Sequence, residues 1–174
     1  PMPAAAILFM ALSLVAGQDA KPKKIVLIAG ALDTHPKETH EYEKNVILLK
    51  HCLMTSPSLK NVRVEVHFNG WPEDPSTLDD ADTIFITSRG SDAKNPENHP
   101  FYVGDRLAVL EKQMARGCGV VQFHWSTFNP VKHHDKITEW VGGYFDAEGP
   151  DGKWVSKLAT REWQTTIVSP ASSS

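Results

Sequence analysis

Short β-branched apolar runs constrain the fold of this chain more than any other feature. "KKIVLIAG" (Lys23 to Gly30) is apolar without alternation and closes on glycine, the pattern of a strand covered on both faces. "DTIFITS" (Asp82 to Ser88) and "GVVQFHW" (from Gly119) are of the same kind, whereas "NVRVEVHF" (Asn61 to Phe68) alternates and suits a strand with one face less buried. Between them lie helical patterns. Thr39 to Met54 brings Tyr42, Val46, Leu49 and Leu53 to one face, Gly104 to Gly117 is a helix stopped by glycine, and Asp135 to Phe145 is a helix ended by the Gly142, Gly143 pair. Helices alternating with apolar strands call for an open, parallel sheet with helices on both faces. In such a sheet, binding sites form in the loops at the carboxyl ends of the strands.

Four of the eight histidines fall in those loops: His35 and His40 after the first strand, His99 after the third, and His124 at the end of the fourth. Arg89, Asp92, Glu41 and Asp33 lie close by in sequence, and Trp125 follows His124. Imidazoles gathered at one sheet edge exchange protons near neutral pH or hold a metal, while a histidine that caps an element end by hydrogen bonding is the ordinary structural alternative for each. The adjacent His133 and His134 read as a solvated pair. Trp125 offers a stacking surface for a sugar ring, or is plain core.

Other chemistries are excluded more easily. A nucleophile elbow needs small residues two positions either side of its apex, and around His124 these are Gln122 and Ser126, of which only serine is small. Cys118 precedes the fourth strand, and six residues at about 3.3 Å each put it roughly 20 Å from the loop edge. "LIAGALDTH" has one glycine where a dinucleotide fingerprint needs three, so no nicotinamide or flavin cofactor is implied. The histidines lack His-Glu-x-x-His spacing, so metal ligands would have to converge from separate loops; no metal set is assigned. Lys and Arg total 18 against 21 Asp and Glu, for a net charge of -3, which leaves no basic footprint for nucleic acid.

"PMPAAAILFMALSLVAGQDA" (1–20) reads as a secretory signal peptide cleaved after Gly17; its apolar run is too short to span a bilayer. Secretion permits a Cys52–Cys118 disulfide, with two free thiols the equal alternative.

"KIVLIAG", "HPKETHEYEKN", "FNGWPED", "DADTIFI", "NHPF", "GDRLAVLEKQMARGCGVVQFHW" and "WVGGYFD", in that order from about Lys23 to about Phe145, together resemble the ThuA-like (trehalose utilisation) domain, a branch of the class I glutamine amidotransferase-like, flavodoxin-like fold. The resemblance implies a three-layer α/β/α sandwich with a mostly parallel sheet over 21–169, a tail at 170–174, a link to sugar metabolism in secreted or periplasmic bacterial proteins, and loss of the amidotransferase cysteine. It also implies pocket positions at His35, His40, Glu41, His99 and His124. Family members usually continue past the strand-like Lys153 to Ser169 stretch, so a last strand and helix are expected to be missing here, leaving an open edge. The expectation is a protein of carbohydrate utilisation acting on a small sugar, with His40 and His124 as acid and base, and His35, Glu41, Arg89, His99 and Trp125 contacting substrate. Glu41 either orients His40 or lies solvated on its helix. A non-catalytic carbohydrate-binding module and a metal-dependent hydrolase are the rival readings.

Overall fold

The computed structural model describes residues 21–91, 95–145 and 156. The leader, Asp92, most of the Lys153 to Ser169 stretch and the tail lie outside the described residues. The elements run β1 (Lys23–Ala29), α1 (Tyr42–Thr55), β2 (Val62–His67), β3 (Thr83–Thr87), α2 (Arg106–Ala115), β4 (Gly119–Phe123) and α3 (His134–Val141). Short 3-10 turns link them, among them Pro100–Tyr102 and His124–Thr127.

The four strands form one parallel sheet in the order β2-β1-β3-β4. Side chains of β1 alternate between its faces, as the pleat requires. Leu27 and Ala29 pack with Tyr42 and Val46 of α1 and Val64 of β2. Val26 and Ile28 face the other way, joining Ile84, Ile86, Val120 and Leu110 of α2, with Trp140 and Val141 of α3 against them. The result is an α/β/α sandwich compatible with a flavodoxin-like fold. Its core side chains, many with no exposed surface, each contribute about 1.5–3 kcal/mol of burial.

From β1 the chain turns through α1 to β2 on one side; from β3 it turns through α2 to β4 on the other. Right-handed crossovers running in opposite directions put their helices on opposite faces, and the loops leaving β1 and β3 part at that point. The register fixes what emerges there. Ala29 pairs with Thr87 and Thr87 with Phe123, so Gly30, Ser88 and His124 leave the sheet side by side.

At the opposite end Lys24, 3 % exposed, bonds Thr77 and Asp80 and pairs with Glu65, a buried ammonium whose charge is fully answered. Cys52 is exposed and Cys118 buried, both as free thiols. Among the described residues, no helix is long and apolar enough to cross a membrane, and β4 has a single strand neighbour, with Val121 and Phe123 partly in solvent.

Candidate functional site

The loop after β1 turns on Asp33, whose Oδ1 accepts the backbone N–H of His35 at 2.9 Å. This Asx-type turn folds the loop back so that the same carboxylate gathers three side chains. His35 Nδ1 lies 2.9 Å from Oδ1, His40 Nδ1 3.2 Å from Oδ2, and the Tyr42 hydroxyl donates to Oδ2 at 2.7 Å. Burial pushes the Asp33 carboxyl up, but the hydrogen bonds from the His35 N–H, Tyr42 and the His35 ring outweigh it and hold it at about 2. Asp33 is therefore an anion that accepts only, so each imidazole Nδ1 must donate to it. In their neutral forms both rings then keep the Nε2 lone pair. Burial also lowers the proton affinity of His40; Asp33 opposes this, while His35 and His124 add to it.

His124 enters from β4 with φ +62°, a left-handed conformation that is costly for a side chain of its size. The strain is the kind a strand-to-helix elbow uses to thrust its apex residue over the strand ends, with histidine here at the apex. Ser126 holds the turn. Its hydroxyl shares one proton between the carbonyls of Phe123 and Ile86 and accepts the Phe123 N–H, so this fully buried serine is not a nucleophile. Gly90 brings the β3 loop against the same turn: a Cβ there would lie 2.4 Å from the Trp125 carbonyl oxygen.

These loops place four rings together. The His35 and His40 centroids are 4.3 Å apart, each is 4.8 Å from Trp125, and His40 is 5.3 Å from His124. They line a hollow of about 660 Å³ with Thr39, Thr127, Phe128 and Phe145. Phe145 is fixed by stacking on Phe128 at 3.9 Å. Arg89 bridges to the next cavity, its guanidinium carbon 5.6 Å from the Trp125 ring centre.

Two expected contacts are elsewhere. His99 is fully buried, and both ring nitrogens are engaged: Nδ1 accepts the Phe101 N–H at 3.1 Å, so Nε2 donates to the Ser126 carbonyl at 2.9 Å. Burial drives its pKa to about 4. It is a neutral strut under the His124–Thr127 turn and does not line the hollow. Glu41 turns toward Lys44, 2.9 Å away, and accepts the Glu38 N–H; the carboxylate that orients His40 is Asp33. His133 and His134 are no solvated pair either, for His133 stacks on Tyr102, and His134 is buried against Tyr144 with Nε2 on the Asn129 carbonyl.

The chain matches no family model, no curated protein and no solved structure.

Site chemistry thus rests on geometry alone. The sequence pattern places Asp33 only near the histidines and does not mark Tyr42 as a site residue. Tyr42 sits on the apolar face of α1 and reads as core there, which it also is, at 1 % exposure. The Asp33-x-His35 spacing in a loop after a strand is the signal that identifies the turn. As a donor set, the carboxylate and two imidazoles of Asp33, His35 and His40 bring their ligand atoms within 4.8 Å of one another and can hold a divalent ion.

Proposed function

We propose that this chain is a secreted, ThuA-like protein of carbohydrate utilisation whose hollow binds a small sugar against Trp125 and moves a proton with His40 and His124. The observation that carries the reading is the Asp33–His40 pair beside a half-buried tryptophan, with His124 held across from it by a strained backbone. Asp33 fixes the tautomer that leaves His40 Nε2 as a base, and its charge stabilises the imidazolium formed when that nitrogen takes a hydroxyl proton. A lowered proton affinity keeps His40 unprotonated at neutral pH, ready to accept. His124, on a separate loop 5.3 Å from His40 between ring centres, is the second proton carrier of this reading. An indole face suits the C–H face of a pyranose, and the apolar wall of Phe128 and Phe145 excludes water around it.

Tryptophan fluorescence titrated with trehalose, other neutral disaccharides and acidic sugars tests the binding half. Trp125→Ala should weaken affinity at least tenfold, while His40→Ala and His124→Ala should abolish turnover and leave binding within about threefold. Binding without turnover in the unmodified chain would establish the rival binding module; no saturable response to any sugar would remove the carbohydrate reading.

The Asp33, His35, His40 donor set favours a second reading, a metal-dependent hydrolase. Metal analysis separates the two. Stoichiometric zinc lost together with activity in His40→Ala supports the hydrolase, and a metal-free, fully active protein excludes it.

A further inference from the structure

Beside the histidine hollow, a second cavity of about 370 Å³ opens between the carboxyl ends of β1 and β3, where the two crossovers part. Gly30 lines it on the β1 side. A Cβ there would lie 2.6 Å from the Ser88 Cβ and 2.7 Å from its Cα, so no side chain fits between the two strand ends. The cavity walls carry two guanidinium groups, Arg89 and Arg106.

Neither forms a salt bridge among the described residues, although the charge of the neighbouring Asp105 acts on Arg106. Arg89 makes no ion pair there, and its Nε is buried with no hydrogen-bond partner. Arg106 donates to the Pro100 carbonyl at 3.3 Å and lies over the Trp71 ring, and burial lowers its proton affinity. Of the two acidic residues on the walls, Asp33 is already saturated by the ring and backbone of His35, by His40 and by Tyr42. Glu97 is exposed, at the mouth. A guanidinium nitrogen withdrawn from water without an acceptor is costly, and an anion bound beside it would complete it. The Lys24 network at the other end of the sheet shows how this same chain answers a buried cation that is purely structural.

We propose that this crevice binds the anionic group of the substrate, a phosphate or carboxylate carried on the sugar, with Arg89 and Arg106 as its two charge partners. A guanidinium fork matches two oxygens of either group, which an ammonium does not. The inference rests on the carbohydrate reading for the ring that would sit on Trp125. Arg89 joins the cavities, lining the crevice while approaching the Trp125 ring, so a ligand anchored there by its charge has its ring directed toward His40 and His124. The substrate class is then an acidic sugar, a sugar phosphate or a sugar acid, in place of a neutral disaccharide.

Isothermal titration with inorganic phosphate, glucuronate and glucose at low ionic strength tests this. Saturable binding of phosphate or glucuronate is expected, weakened tenfold or more by Arg89→Gln and by Arg106→Gln, and tightened by Glu97→Gln. Arg89→Lys, which keeps the charge without the fork, should fall between. Because the Arg89 Nε has no partner, Arg89→Gln should also keep or raise the melting temperature, whereas a structural arginine would lower it. Phosphate alone binding assigns a phosphorylated sugar, and glucuronate alone a sugar acid. Neither anion binding, or binding indifferent to both arginine substitutions, overturns the proposal. Inorganic phosphate has no ring to stack and no sugar hydroxyl to deprotonate, so its binding stands or falls apart from Trp125 and the histidines. Phosphate held by a chain indifferent to every sugar would keep the anion site and remove the carbohydrate reading; glucose bound without either anion would do the reverse.

Discussion

Asp33→Asn is the perturbation with the most to say about the site. The Asp33 side chain is 7 % exposed and its carboxyl is held at about 2 against an ordinary 3.8. At about 1.36 kcal/mol for each tenfold change in proton affinity, the ionised carboxylate stabilises the fold by about 2.5 kcal/mol at neutral pH. Because the folded value is depressed, that stabilisation is complete above the unfolded value near 4 and is lost as pH falls toward 2. About half of it, on the order of 1.3 kcal/mol, should remain at pH 3. Urea unfolding of the parent and of Asp33→Asn at pH 7 and pH 3 should therefore give a gap that roughly halves. Asparagine also turns an N–H2 toward donors that now meet an oxygen, so His40 or His35 must change tautomer and protonate Nε2, the atom the proposed chemistry needs. The histidine titration supplies a separate readout. Asp33 raises the proton affinity of His40, so its removal should lower the His40 midpoint further, as followed by proton–carbon NMR of the ring. A gap equal at both pH values, or a His40 midpoint that rises, would refute the reasoning.

Three other substitutions probe the supports. His124→Gly should raise stability by about 1 kcal/mol in urea unfolding, since glycine accepts φ +62° without strain, while turnover is lost; a destabilised variant would mean the strain assignment is wrong. His99→Leu leaves the Phe101 N–H and the Ser126 carbonyl unpaired inside the protein and should cost about 2–4 kcal/mol. With a folded pKa of about 4 against 6.5, His99 binds a proton more readily when unfolded, so the parent should lose stability between pH 6.5 and 4, and the leucine variant should lack that part of the slope. Gly90→Ala drives a methyl against the Trp125 carbonyl and should cost at least about 1–3 kcal/mol, with weaker sugar affinity from a displaced indole in the fluorescence titration.

The layers and strands of this fold are legible in the sequence because burial on both faces leaves a direct imprint. The runs at Lys23, Asp82 and Gly119 each become a strand of the parallel sheet, and the face of Tyr42, Val46, Leu49 and Leu53 packs as its spacing demands. Element ends are less legible. The Thr39–Met54 pattern starts three residues before α1 because His40 is drawn to Asp33 and Glu41, at the N-cap, accepts the Glu38 N–H and caps no helix N–H with its side chain. Placement at the strand ends is legible as well, since a histidine that follows a buried strand must emerge at the sheet edge. Which way it then points is not. His99 and His40 have equal claims from sequence, yet one leads into a 3-10 turn and is drawn inward by the Phe101 N–H, and the other is held at the hollow by a carboxylate seven residues before it.

That difference bears on how the two histidines work together. His99 is bonded to the carbonyl of Ser126, and Ser126 ties the backbone of Phe123 and Ile86, so the turn that carries His124 and Trp125 is pinned from beneath at both of its ends. A left-handed histidine persists only where its surroundings over-determine the backbone, and this buried pair supplies that constraint. Loss of His99 should therefore let His124 relax from φ +62° and move the indole away from His40. A variant lacking the strut would lose the proposed sugar binding as well as stability, although the His99 ring does not line the hollow. The residue that sequence reasoning placed in the pocket then acts on it through the backbone, as a positioning residue one layer below the surface it was expected to form.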